Sequence, residues 1–246
     1  DVKGVSLHQV YGPHPAGNVG VQIAKISPIN AGERVWTVTP QDVATIGELF
    51  LTGKFNATRT VALAGSEVKD AQYYNVISGA AIADLVAGKI KGDNVRVISG
   101  DVLTGTKVNM DGNLGFYSNT VTVIPEGNVY RMFGWMPFAS PSVHSASRTG
   151  LSWLMPGKKY APNTNLNGEE RALVVTGEME AVMPLDIFPM QLLKACLASD
   201  IDKMESLGIY EVAPEDFALI DYTNTSKLEA QQIIREALDL MIKEVG

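Results

Sequence analysis

The chain has 246 residues, 46% hydrophobic and 19% charged, with a formal net charge of −7, enough for one large domain or two modest ones with buried cores. The negative balance leaves no basic stripe to neutralise phosphates, which argues against a nucleic-acid partner. Cys196 is the single cysteine, which excludes an internal disulfide and points to a reducing compartment, and no apolar run reaches the roughly 20 residues of a membrane-spanning helix.

The opening "DVKGVSLHQVYG" has neither a basic nor an apolar leader segment, and the missing initiator Met suggests a piece of a longer protein. Residues 1–57 hold a glycine- and proline-rich loop, "YGPHPAGNVG". Val35 to Val38 then predict a short buried strand. Thr39 caps a helix whose first residue is Pro40, where the missing N–H costs nothing. Val43, Ile46, Leu49 and Phe50 give that helix an apolar face and Gly53 ends it. Strand and amphipathic helix together make an α/β layer.

Residues 58–127 begin with two predicted strands, "TVALAG" and "YYNVIS". Ser78 is expected to cap a helix carrying Ile82, Leu85 and Val86, with Gly88 past its end. "VRVISGDVLTG" and "NTVTVIPEG" supply further strands around the turn-rich "NMDGNLG". Several strands crossed by one short helix predict a β-grasp, ubiquitin-like module. Residues 128–184 mix strand-like "RMFGWMPF", "RTGLSWLM" and "RALVVTGEMEAVMP" with loop, and no sheet order follows from them.

Residues 185–246 turn helical. Asp186 is read as the cap of "IFPMQLLKACLAS", and Asp200 as the start of a helix with Ile201, Met204 and Leu207 on one side. Pro214 opens another at "PEDFALI", and Ser226 with Glu229 forms a capping box for the last helix. There Ala230, Ile234, Ala237, Leu238, Met241 and Val245 recur at helical spacing, as on the face of a small bundle.

The chemistry-bearing residues are sparse. Gly12, Gly17 and Gly20 in "GPHPAGNVG" could present backbone N–H groups to an anion, but neither a P-loop nor a dinucleotide fingerprint is present. The competing reading is a tight turn stiffened by two prolines. His14, between those prolines, is either a proton carrier or a brace for the loop. None of His8, His14 and His144 has a second ligand at zinc spacing. Cys196 sits between Leu193 and Leu197 and is expected to be buried and inert. The residues therefore carry no catalytic apparatus and no cofactor or metal of their own. Trp135, Phe138 and Trp153, near Lys158 and Lys159, are candidates for a partner interface, with the core beneath a long loop as the other reading.

"NGEERALVVTGEMEAVMPLDIFPMQLLKACLASDIDKMESLGIYEVAPEDFAL" resembles the A-subunit family of the bacterial sodium-translocating NADH:quinone oxidoreductases. Glu170-Arg171-Ala172, Met183 to Pro189, Leu207-Gly208 and Glu215 to Leu219 carry the likeness. "GPHPAGNVG" and "VWTVTPQDVATIG" resemble the family's central region, and Thr60 to Gly88 its soluble-ligand-binding β-grasp domain. The resemblance implies a preceding barrel-sandwich domain that this chain lacks. It also implies an α+β architecture: a Rossmann-like remnant over 1–57, the β-grasp domain over 58–127, a connecting region over 128–184 and a helical bundle over 185–246. Where many members read Cys-x-x-x-Cys-Pro-Gly-Lys, this chain has Ile220 and Asn224 at the cysteine positions, so no thiol role applies there.

By that resemblance the chain is a peripheral subunit on the cytoplasmic side of the bacterial inner membrane. It would be structural and quinone-contacting, with Gly12, His14, Gly17 and Gly20 as its weakly marked ligand loop. Its complex would oxidise NADH, reduce ubiquinone and export Na+, using flavins (FAD, FMN, riboflavin) and an iron–sulfur centre on other subunits. Two other readings stand beside it. One is a flavin- and NADH-binding input subunit similar to that of respiratory complex I. The other is a free-standing β-grasp module for a small ligand.

Overall fold

The computed structural model describes residues 3–134, 136 and 143–245. In chain order the helices are α1 (Val19–Ile26), α2 (Pro40–Thr52), α3 (Ile82–Val86), α4 (Pro189–Leu197), α5 (Ile201–Ser206), α6 (Ala218–Thr223) and α7 (Ala230–Glu244). The strands are β1 (Thr58–Ala64), β2 (Gln72–Ile77), β3 (Val95–Ser99), β4 (Thr106–Val108) and β5 (Thr120–Pro125). The chain divides into two compact units: residues 38–169 form one, and residues 1–37 join 170–246 in the other. The whole is a mixed α+β protein, and no helix among the described residues is long and apolar enough to cross a membrane.

The unit of residues 38–169 is built on one mixed sheet in the order β2-β1-β5-β3-β4. β1 runs parallel to β5, and the other neighbours are antiparallel. Alternation sets its core. Val61 and Leu63 of β1, Val97 of β3 and Val121 and Val123 of β5 bury one face against Ile82, Leu85 and Val86 of α3. Ser78 does not cap α3. Its N–H completes the ladder to the Ala57 carbonyl at 2.8 Å, its hydroxyl is buried without a partner, and Ala81 takes the cap position.

α2 begins and ends as its sequence predicts. The Thr39 hydroxyl accepts from the Asp42 N–H at 3.3 Å, and Gly53 closes the helix with φ +72°. Its expected apolar face is not core, because none of its residues is buried and Val43, Ile46 and Phe50 are exposed. The helix is held instead by polar contacts, most of them in its first turn. The Gln41 side-chain amide donates to the Thr60 carbonyl at 3.0 Å and accepts the Thr60 N–H at 2.9 Å. It thus stands in for a neighbouring strand where β5, which pairs β1 only from Ala62 onward, has not yet begun. Beside it, buried Arg59 pairs with Asp42 at 3.0 Å and donates to the Phe116 carbonyl.

Two sequence expectations fail for want of neighbours. Val35 to Val38 form no strand, and Val35, Trp36 and Val38 are exposed. β-propensity is realised only where a sheet supplies cross-strand partners. Among the described residues of 128–184 no strand forms either: Leu151–Leu154 is a 3-10 turn, and Val174 and Val175 are exposed.

In the other unit α4 to α7 enclose a core of Met190, Leu192, Leu193, Met204, Ile209, Phe217, Ile220 and Ile234, all sealed from solvent, with Val21 of α1 against it. Asp200 caps α5 as expected, accepting the Lys203 N–H at 3.2 Å, and Gly208 ends that helical stretch with φ +88°. Asp186 does not cap α4: Pro189 at N1 sets its start three residues later. Ser226 and Glu229 do not form a capping box for α7. The Ser226 hydroxyl donates to the Ala172 carbonyl at 3.1 Å, and the cap comes from another helix: Asp221 accepts the N–H groups of Ala230 and Gln231 at 2.5 and 3.3 Å. Along α7, Ala230, Ile234, Ala237 and Met241 are buried, but Val245 is exposed.

Candidate functional site

In the helical unit three distant stretches meet: the loop of residues 11–18, α1 and residues 208–217. Consecutive turns stitch the loop, with the Ala16 N–H bonded to the Pro13 carbonyl at 3.0 Å and the Asn18 N–H to the Pro15 carbonyl at 2.9 Å. Two side chains anchor it, Gln22 to the Ala16 carbonyl and Asn18 to the Glu215 carbonyl. Opposite lies a 3-10 turn, Pro214–Phe217, in which the Asp216 carboxylate reaches back to the Ala213 N–H at 2.8 Å.

Asp216 is 2% exposed, and its Oδ1 has no hydrogen-bond partner. The carboxylate presses on Gly20, in the first turn of α1, so closely that a Cβ there would stand 2.7 Å from Oδ2 and 2.9 Å from Oδ1. Burial raises its pKa above the ordinary carboxylate value; the Ala213 N–H opposes this and the neighbouring Glu215 charge adds to it. The positive end of α1 favours an anion at that place.

Beside this contact runs a groove of about 250 Å³, walled by Val19, Gly20, Ile23 and Ala24 of α1, by Pro28 and Ile29, and by residues 210–213. Its walls are mostly apolar, and Thr37, Tyr210, Glu211 and Glu215 are the lining residues with polar side chains. The Tyr210 hydroxyl donates to Glu205 at 2.6 Å, and that bond raises its pKa. Apolar walls with a few polar groups suit a flat apolar body carrying one or two hydrogen-bonding atoms.

Of the predicted loop residues only Gly20 lines the groove. Gly12 serves the backbone, with φ +139°; Gly17 and His14 are exposed and lie off the groove. Trp135 and Phe138 fall outside the described residues. Trp153, 52% exposed, belongs to the sheet-bearing unit, as do exposed Lys159 and Lys158, whose ammonium lies 5.3 Å from the Tyr160 ring centre. Cys196 is buried in α4, and burial pushes its thiol up to about 11. No group of three His, Cys, Asp or Glu side chains among the described residues could hold a metal. Asp216 and Tyr210 are absent from the sequence-derived site. The only advance sign of Asp216 is local: Pro214 followed by an acidic residue two places on is the pattern of a turn whose carboxylate reaches back to its own start.

Two family models match in order: "NqrA second alpha/beta domain" over residues 1–55 and "NQRA C-terminal domain" over residues 60–110. The chain is similar to the A subunit of the Na(+)-translocating NADH-quinone reductase of Neisseria meningitidis serogroup B, 39% identical over 241 residues, 98% of this chain and 54% of that protein. The counterpart of the same name in Serratia proteamaculans is 40% identical over 241 residues, again 98% and 54%. That of Vibrio campbellii is 38% identical over 243 residues, with the same coverage. The chain thus spans about half the length of the curated relatives that it matches.

Proposed function

We propose, for a chain that belongs to the family of A subunits of the Na(+)-translocating NADH-quinone reductases, that it works as part of such a subunit within the multi-subunit enzyme. The observation that carries this is identity near 39% sustained over 98% of the chain, not confined to one motif. In that reading the chain holds no redox cofactor of its own. NADH oxidation, flavin and iron–sulfur electron transfer and Na+ movement belong to partner subunits, and the chain lies on the cytoplasmic side of the membrane. The strand order β2-β1-β5-β3-β4 with β1 and β5 parallel supports a β-grasp reading of residues 58–127. The packing of α4 to α7 supports a bundle for 185–246, and residues 1–57 are assigned to a Rossmann-like layer. Trp153, Lys158 and Lys159 belong to the surface through which it meets its partners.

Quinone contact belongs in the groove of α1. Its apolar walls can receive a quinone ring, and the Thr37 hydroxyl can donate to a ring carbonyl. Assembly is tested by affinity-tagging the chain in a bacterium that makes the enzyme: NADH-oxidising partner subunits are expected to co-purify, and their absence refutes the proposed place in the enzyme. Quinone contact is tested separately by cross-linking a photoreactive ubiquinone analogue and mapping the labelled peptides. Label on peptides containing residues 19–29 or 210–215 is expected. Label elsewhere, in an assembled complex, removes the groove from the proposal and leaves the chain's place in the enzyme intact.

A further inference from the structure

The protein treats its strand edges unequally. Where β1 would lie open beyond the end of β5, Gln41 covers its backbone. The β4 edge is three residues long and carries exposed Lys107, both common defences against strand pairing. The β2 edge has no such device. It is six residues long, "QYYNVI", with no charge and no proline. Because Thr60 turns its N–H and carbonyl to Gln41, away from β2, Thr60 and its partner Asn75 form a non-hydrogen-bonded pair. The backbone of Asn75 therefore points outward from the sheet, and by alternation so do those of Tyr73 and Ile77. Of these groups only the Ile77 carbonyl has a partner among the described residues, the Ala80 N–H at 3.0 Å.

We propose that β2 is a self-pairing edge, joining two copies of this chain antiparallel about a two-fold axis through Asn75. The register is self-complementary. With Asn75 opposite its own copy, Tyr73 faces Ile77 of the second chain, and every residue whose backbone points outward meets another of the same kind. All three side chains lie on one face and are exposed, Tyr73 by 77% and Ile77 by 69%. Aromatic against β-branched is a favourable cross-strand pair, and the two asparagines can share an amide hydrogen bond. No charge in the strand opposes the pairing. Two five-stranded sheets would become one of ten strands. So short an interface makes a weak, concentration-dependent dimer.

Sedimentation equilibrium over rising concentration is expected to show a reversible monomer–dimer equilibrium. Asn75→Lys places two cations face to face on the axis. It should raise the dissociation constant at least tenfold while leaving the circular dichroism spectrum unchanged. Asn75→Cys supplies a second measurement. Directly opposed hydrogen-bonded residues have Cα atoms about 5.5 Å apart, within the span of a disulfide. Because Cys196 is buried, mild oxidation should link Asn75→Cys chains and leave Lys107→Cys chains, altered on the other edge, unlinked. The proposal is overturned by a wild-type chain that stays monomeric throughout. It is also overturned by a dimer indifferent to Asn75→Lys, or by cross-linking no faster at position 75 than at 107.

Discussion

Replacing Gly20 by alanine tests the contact on which the groove is built. In a helix interior Gly→Ala is ordinarily favourable by about 1 kcal/mol, because glycine loses the most backbone freedom. Here the new methyl would meet Oδ2 and Oδ1 of Asp216 at 2.7 and 2.9 Å and its Cγ at 3.2 Å. Asp216 cannot swing clear: it is 2% exposed and tied to the Ala213 N–H. Overpacking of this kind costs about 1–3 kcal/mol, so after the offset a net loss of roughly 0–2 kcal/mol, centred near 1, is expected. In an Asp216→Ala background the obstruction is gone, and Gly20→Ala should turn stabilising by up to about 1 kcal/mol. The double-mutant cycle then gives a coupling near 2 kcal/mol between the two positions, well beyond the few tenths seen between independent sites. Urea unfolding measures the four stabilities, and hydrogen exchange of the α1 and α7 amides ties the change to the helical unit. If Gly20→Ala has the same effect in both backgrounds, the carboxylate does not constrain Gly20 and the reasoning fails.

Asp221→Ala should uncap α7 and cost about 1–2 kcal/mol, as lost caps do; amide exchange in residues 230–233 should accelerate first, and unchanged protection there would show that the cap contributes nothing. Gln41→Ala removes both bonds to Thr60, in water-accessible surroundings, at about 1 kcal/mol, and should raise the exchange of α2 amides while leaving those of β5 unchanged. Burial sets the folded pKa of Asp216 above its ordinary 3.8. Its protonated form thus favours the native state: the contribution is fully present below 3.8 and is lost as pH rises through the folded value. Asp216→Asn should therefore gain on the wild type as pH rises from 3.8 towards neutrality, and parallel stability–pH curves would exclude the effect. Cys196, with its thiol held near 11, should react with a thiol reagent only on unfolding; prompt native labelling would contradict its burial.

What was legible in the sequence was local. Thr39-Pro40 and Gly53 bracket α2, and Asp200 and Gly208 bracket α5, because capping and left-handed turns are decided within four residues. The strands β1, β2, β3 and β5 were visible in their apolar runs. Their order was not, since the parallel pairing of β1 with β5 joins Ala62 to Thr120 across the length of the sheet domain. The wrongly assigned caps have two causes. Ser78 and Ser226 were claimed by neighbours distant in sequence, and the group that caps α7 comes from α6, whereas Pro189 at N1 moved the start of α4 past Asp186. Of the candidate site, glycine content marked Gly20 without saying why. The reason lies in Asp216, nearly two hundred residues away, and no spacing rule connects them.

α2 shows how far periodicity reaches. Its apolar residues recur at the intervals of a core helix, and the helix forms where they predict, yet Val43, Ile46 and Phe50 are exposed. Periodicity reports that one side of a helix is apolar; whether that side is buried depends on what the rest of the chain places against it. What fixes α2 to the sheet is polar and specific. One glutamine amide completes the hydrogen bonding of Thr60, and one carboxylate pairs with an arginine that β1 has turned inward. Isolated helices of this length are marginal in water. With none of its residues buried, α2 rests on Thr39, Gly53, that first-turn anchorage and the Asn56 amide, which donates to Glu48 at 3.0 Å. The Gln41→Ala experiment therefore bears on more than two hydrogen bonds: if α2 keeps its exchange protection without them, the helix is held by its remaining contacts, the Asp42–Arg59 pair first among them.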